Sequence, residues 1–120
     1  MERNDFSPYD PAALPPVVVR YLDTQADDAR RHELAGLFDP DARVVDEGIE
    51  YSGVERIRGW LSTTASEYTY TTELVAQQRV ASDRWVVLAR LEGNFPGGVA
   101  DLRYRFTSGD DAILDLVIAP

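Results

Sequence analysis

A chain of 120 residues, 44% hydrophobic and 28% charged, has the size and composition of a single domain with its own core. Its formal net charge of −9, from 21 acidic against 12 basic residues with no basic cluster longer than Arg30-Arg31, argues against nucleic acid and anionic membrane surfaces as partners. No apolar run approaches the roughly 20 residues of a membrane span, the polar start Met1-Glu2-Arg3-Asn4-Asp5 leads into no signal-peptide core, and the absence of cysteine removes disulfides, thiolate nucleophiles and cysteine metal sites. The expected protein is cytoplasmic, and its partner is a small neutral or hydrophobic ligand or another protein chain.

Residues Met1 to Ala13 contain Pro8 and Pro11 and little periodicity, and read as a flexible N-terminal arm before a single domain over 14–120. From Leu14 the apolar positions Leu14, Val17, Val18, Tyr21 and Leu22 follow the i, i+3, i+4, i+7, i+8 spacing of one helix face, with Pro15-Pro16 in the first turn. Tyr21 therefore sits on the buried stripe with a hydroxyl that needs a partner. Asp27-Asp28 can cap a second helix, about Ala29 to Phe38, turned inward at Leu34, Leu37 and Phe38 and ended by Asp39-Pro40. His32, the only histidine, has no ligand-type neighbour at i+4 and reads as a surface residue.

The extended run Arg43-Val44-Val45-Asp46-Glu47 follows, closed by Gly48. Side chains alternate across a strand, so Val44 and Asp46 share a face. If that face looks into a core, Asp46 is a carboxylate aimed at apolar surroundings, which is costly unless the group is hydrogen-bonded, neutralised or used. Otherwise Asp46 and Glu47 are a solvated strand end. A short strand, Ile49 to Ser52, is broken at Gly53, and a third helix over about Val54 to Ala65 carries Ile57, Trp60, Leu61 and Thr64 on one stripe.

A long alternating segment, Tyr68 to Ala81, turns at Ser82-Asp83 into Arg84 to Phe95. Pairing Ala81 with Arg84 sets Tyr70, Leu74, Ala76, Val80, Trp85, Val87, Ala89, Leu91 and Phe95 on a core face. Pro96-Gly97-Gly98 leads into Val99 to Thr107, with Leu102, Tyr104 and Phe106 facing one way, and Ser108 to Asp111 leads into a last strand, Ala112 to Ala119, of ambiguous orientation. Helices first, then a strand pair, a helix and a four-strand meander indicate an α+β domain with helices on one sheet face. The opposite face mixes Val75, Val86, Leu88 and Val117 with Glu73, Gln77, Arg79, Arg90, Glu92, Asp101, Arg103, Arg105 and Asp115, a composition that suits a two-fold homodimer interface.

Taken together, Pro16-Val17-Val18-Val19-Arg20-Tyr21, Leu34 to Ala42, Val45-Asp46-Glu47-Gly48 and Leu102-Arg103-Tyr104-Arg105-Phe106 resemble the SnoaL-like and ketosteroid-isomerase-like branch of the nuclear transport factor 2 superfamily, over about Leu14 to Ile118. The resemblance implies a cone, a strongly curved mixed sheet wrapped around the helices, enclosing a deep apolar pocket. By the same resemblance Asp46 matches the carboxylate that shuttles a proton and Tyr21 the phenol that donates to the substrate oxyanion. The third member, a protonated aspartic acid, falls at Leu102, while Asp101 points to the other face by alternation. Two of three members are present, which argues against ketosteroid isomerisation itself.

The resemblance thus implies acid–base chemistry on a small hydrophobic carbonyl compound, of isomerase, cyclase or dehydratase type, with Asp46 as base and Tyr21 as donor. Trp60, Tyr68, Tyr70, Phe95, Leu102, Tyr104 and Phe106 are the expected pocket lining, although Trp60 and Phe106 suit a plain core equally well. The alternatives are a ligand-binding module without chemistry and a structural dimer. One histidine, no cysteine and no calcium-loop spacing give no reason to expect a metal, and no cofactor is implied.

Overall fold

The computed structural model describes residues 6–63 and 67–120. In chain order these form a two-residue strand β1 (Ser7–Pro8), a 3₁₀ turn (Pro11–Ala13), helix α1 (Pro16–Gln25), a 3₁₀ helix (Asp28–Leu37), strands β2 (Phe38–Asp46) and β3 (Ile49–Ser52), helix α2 (Val54–Ser62), and strands β4 (Tyr70–Ala81), β5 (Arg84–Gly93), β6 (Val99–Ser108) and β7 (Ile113–Ala119). One curved, unclosed sheet runs β1-β4-β5-β6-β7-β2-β3. The β2–β7 pair is parallel and the other neighbours are antiparallel, so the sheet is mixed as expected. Thr64 and Ala65, expected at the end of the third helix, lie outside the described residues, as do Met1 to Asp5 of the arm. Among the described residues no helix is long and apolar enough to cross a membrane.

Helix α1 buries Val17, Val18, Tyr21 and Leu22 against the concave sheet face, with Pro16 in its first turn. The core closes with Phe38, Val44, Ile57, Trp60, Val87, Tyr104, Phe106, Ile113, Leu116 and Ile118. The last strand, ambiguous from its composition, turns Leu116 and Ile118 inward opposite Phe106 and Tyr104.

Four sequence expectations are altered by tertiary context. The second helical segment is 3₁₀ rather than α, capped by the Asp27 carboxylate on Ala29 N–H at 3.0 Å. Threefold winding aligns side chains at i and i+3, so Arg31, Leu34 and Leu37 share a row, of which Arg31 and Leu34 are buried. The helix stops at Leu37, and Asp39-Pro40 instead sits inside β2 where the register with β7 shifts between Phe38 and Arg43. Proline has no N–H to give a ladder, so it is tolerated at such an irregularity, and the Asp39 carboxylate takes the Asp41 N–H at 2.9 Å.

In β4 the register slips between Leu74 and Ala76 and again between Arg79 and Ala81. Each bulge reverses which side chains face inward. Gln77 rather than Ala76 therefore turns inward, opposite Val87, and is buried, Arg79 lies over the Trp85 ring at 5.3 Å, and Val80, expected on the core face, is exposed. Finally, the part of the expected arm from Ser7 onward is docked. Ser7–Pro8 pairs with β4, and Gln77 clasps the Asp10 backbone through Asp10 N–H to Oε1 at 2.8 Å and Nε2 to Asp10 O at 3.0 Å.

Two turns position the site. Glu47 (φ 53°) and Gly48 (φ 77°) both lie in the left-handed region, the backbone of a two-residue hairpin joining β2 to β3. At Gly93 the start of β4 approaches so closely that a β carbon would stand 2.3 Å from the Thr69 carbonyl oxygen and 2.6 Å from Tyr70 Cβ. Gly93→Ala is expected to cost about 1–3 kcal/mol in urea unfolding, in the range of overpacked cores. Gly109→Ala, whose β carbon would meet nothing nearer than 3.7 Å, is expected to stay within about 0.5 kcal/mol of wild type.

Candidate active site

The concave face and the helices enclose a cavity of about 390 Å³. Tyr21, Leu34, Leu61, Leu91, Tyr104 and Ile118, all buried, line its depth. Tyr68, Phe95 and Leu102, each half-buried, line its sides, and the exposed Glu47, Glu67 and Pro96 stand at its rim.

Asp46 projects from the end of β2 into this cavity, two residues after the fully buried Val44 on the same face. Trp60 in α2 donates its indole N–H to Asp46 Oδ2 at 3.0 Å, and the Tyr51 ring from β3 packs 6.1 Å from Trp60, fixing the indole from behind. Burial raises the Asp46 carboxyl above its ordinary value, against the opposing pull of the Trp60 bond and a backbone hydrogen bond from Glu47. The carboxylate is half-buried and hydrogen-bonded rather than a solvated strand end.

Tyr21 is 2% exposed and lies among Phe38, Tyr104 and Phe106, with ring centroids 6.0, 6.3 and 5.4 Å away. Burial pushes its phenol well above the usual range, with the nearby Tyr104, Tyr70 and Asp46 acting in the same direction. The group is therefore a neutral O–H donor at neutral pH. Among the described residues no side chain or carbonyl accepts its proton. Phe106 is not on the cavity wall. It packs edge-on against Tyr21 and holds the phenol in place.

Two side chains absent from the sequence reading complete the wall. Gln25 lies one helical turn beyond Tyr21, accepts the Tyr70 hydroxyl at Oε1 (3.2 Å), and directs Nε2 toward Leu22 O and Thr72 Oγ1 (3.4 Å each). Arg31, 2% exposed, donates Nε to Gln25 O at 2.8 Å and a terminal nitrogen to Tyr68 O at 3.1 Å, and its guanidinium lies 4.1 Å from the Tyr70 ring centroid. The i+4 spacing of Gln25 from Tyr21 was visible in sequence. The Arg31–Leu34–Leu37 period of three was visible too, but only 3₁₀ winding gives it meaning. Among the described residues no cluster of three or more histidine or acidic side chains is arranged to hold a metal.

A curved, unclosed mixed sheet with helices on its concave face is the fold of nuclear transport factor 2-like domains. A Sinorhizobium meliloti protein provisionally named a polyketide cyclase is 32% identical, with 92% of this chain and 100% of that one aligned at a TM-score of 0.82. The chain belongs to the SnoaL-like, ketosteroid-isomerase-like branch of the nuclear transport factor 2 superfamily. A ketosteroid-isomerase-like protein of Catenulispora acidiphila, in complex with trimethylamine, shares the fold at 19% identity, covering 90% and 87% of the two chains with a TM-score of 0.76. A Shewanella putrefaciens protein provisionally named a SnoaL-like polyketide cyclase does so at 14% identity, 85% of each chain and a TM-score of 0.66. No family profile and no curated protein sequence matches the chain.

The raised Asp46 carboxyl has a consequence for stability. The unfolded chain ionises near pH 3.9, below the folded protein, so the stability Asp46 contributes is present in acid and is lost as pH rises through its folded pKa. Asp46→Asn should therefore gain in Tm relative to wild type across that interval and hold a constant advantage above it. Trp60→Phe, lacking the bond that favours the carboxylate, should extend the interval to higher pH. Thermal melts across pH check both, and a difference independent of pH would exclude the desolvated carboxylate.

Proposed function

We propose that the cavity binds a small hydrophobic carbonyl compound and that the protein moves a proton on it, in a reaction of the isomerase, cyclase or dehydratase type. Asp46 is the general base and Tyr21 the hydrogen-bond donor to the carbonyl oxygen. One observation carries this reading: a carboxylate held by an indole N–H and a phenol with no acceptor among the described residues share one largely apolar cavity.

In the first step the C–H bond beside the carbonyl breaks and its proton passes to an Asp46 oxygen. The electron pair shifts onto the carbonyl oxygen, and the Tyr21 O–H, already in place, stabilises the charge without giving up its own proton. Returning the Asp46 proton to a different carbon isomerises the substrate. If the enolate carbon instead attacks a second carbonyl of the same molecule, a C–C bond closes a ring and the new alkoxide takes the proton. The name of the Sinorhizobium relative supports a polyketide-type carbonyl compound as the substrate class.

Exchange of α-hydrogens for deuterium, followed by NMR over a panel of cyclic enones and 1,3-diketones, tests the reading. Asp46→Asn should lower the rate by about 10²–10⁴ and Tyr21→Phe by about 10²–10³. The wild-type rate should rise with pH to a plateau, inflecting above the ordinary carboxylate range because the base works ionised. An Asp46→Asn rate equal to wild type removes the base. Tight binding of panel members without exchange favours the non-catalytic binding module.

We propose in addition that two copies pair through the outer sheet face. Exposed Val75, partly buried Leu88 and Val117, and the Arg43–Asp115 ion pair (2.7 Å) combine an apolar centre with charges on that face. Light scattering on the eluting protein should give twice the chain mass, and Leu88→Asp should give the single-chain mass with unchanged far-ultraviolet circular dichroism. A single-chain mass for wild type removes the interface.

A further inference from the structure

The sheet register aligns more than the base with the cavity. Asp46 of β2 lies opposite Ile118 of β7, and Ile118 lies opposite Tyr104 of β6. The three residues form one row across neighbouring strands, and directly opposed residues share a face. Two strand spacings set the Asp46 and Tyr104 backbones roughly 10 Å apart, with the Ile118 side chain as an apolar floor between them. Both Asp46 and Tyr104 line the cavity. Across it, α1 lays the Tyr21 ring 6.3 Å from the Tyr104 ring, centroid to centroid.

Tyr104 is 3% exposed, stacked on Phe106 with ring planes 18° apart, and among the described residues nothing accepts its hydroxyl proton. A phenol that merely packed would need no hydroxyl, and phenylalanine would fill the same volume. Tyr104 lines the cavity, where a ligand oxygen can accept its hydroxyl proton. Leu102, two residues earlier on the same face, has nothing to donate.

We propose that Tyr104 is a second hydrogen-bond donor to the reacting oxygen, forming with Tyr21 a two-phenol oxyanion site opposite Asp46. The inference rests on the proton-transfer reading above and narrows the ligand to one presenting an sp² oxygen, whose two lone pairs can take two donors at once. Tyr104 keeps its proton throughout, and no covalent bond to it forms or breaks. Burial holds its phenol far above the physiological range, so the donor is not lost at neutral pH. The Arg31 guanidinium acts on both phenols in the direction that favours negative charge, and the larger opposing effect of the Asp46 carboxylate lapses once that group has taken up its proton.

The probe is 4-nitrophenolate, an oxyanion with a visible absorbance band, titrated into the Asp46→Asn protein. That background mimics the site after the base has taken its proton. 4-Nitroanisole, which has the same ring and no oxyanion, reports apolar binding alone. Adding Tyr104→Phe should weaken 4-nitrophenolate about 10- to 100-fold, the scale of one hydrogen bond to a charged group, and leave 4-nitroanisole within about 2-fold. Tyr21→Phe should behave the same way. If Tyr104→Phe leaves phenolate binding unchanged while Tyr21→Phe weakens it, Tyr104 is not a donor and the Asp46–Tyr21 reading stands. If neither probe binds the Asp46→Asn protein, the carbonyl-site reading falls and the second donor falls with it. Equal loss of both probes on Tyr104→Phe assigns the residue to packing and overturns the inference.

Discussion

The hydrogen bond from the Trp60 indole to Asp46, 3.0 Å long, ties α2 to the end of β2 and sets the condition of the carboxylate. Burial alone favours the neutral acid, because a charge leaving water loses its hydration. An indole N–H aimed at one oxygen, with a backbone N–H assisting, offsets part of that loss without supplying a counter-charge. Tyr51 against the indole and the left-handed pair Glu47-Gly48 just after Asp46 hold both partners of the bond.

Around that bond the sheet acts as a register. The parallel pairing of β2 with β7 brings Asp46 into line with Ile118 and Tyr104, although the strands carrying Asp46 and Tyr104 are separated by more than fifty residues of chain. The bulges in β4 turn Gln77 inward, where it clasps the Asp10 backbone and joins the N-terminal segment to the sheet. Helix α1 then crosses the concave face and sets Tyr21 among three aromatic rings. The site lies on strands and a helix whose inward faces also form the core, so its geometry is held by packing rather than by loops.

Polarity within the cavity is divided. Arg31 is held by two backbone carbonyls and the Tyr70 ring, and Gln25 links that ring to α1. Asp46, by contrast, receives neutral donors, the Trp60 indole and the Glu47 backbone. Arg31 and Asp46 both line the cavity and act in opposite directions on the two buried phenols, which are neutral at physiological pH.

Much of this was legible in the residues. The Leu14–Val17–Val18–Tyr21–Leu22 spacing placed Tyr21 on a buried helix face, Ser82-Asp83 placed the hairpin, and strand alternation put Asp46 with Val44 and Tyr104 with Phe106. The bulges, the 3₁₀ winding and the docked N-terminal segment were not legible. Each depends on partners distant in sequence: β5 against β4, Tyr68 and Gln25 around Arg31, and Gln77 beneath Asp10.

By itself, then, the sequence determined the α+β order and which side chains share a face in β2, β5 and β6, because periodicity is a local property of the backbone, while the family resemblance supplied the roles proposed for Asp46 and Tyr21. Only the tertiary structure decided that Asp46 is desolvated, that Trp60 rather than a cation holds it, and that Phe106 supports the site from behind while Gln25 and Arg31 line it. Dielectric environment and hydrogen-bond partners belong to the space between elements, and no stretch of chain contains that space.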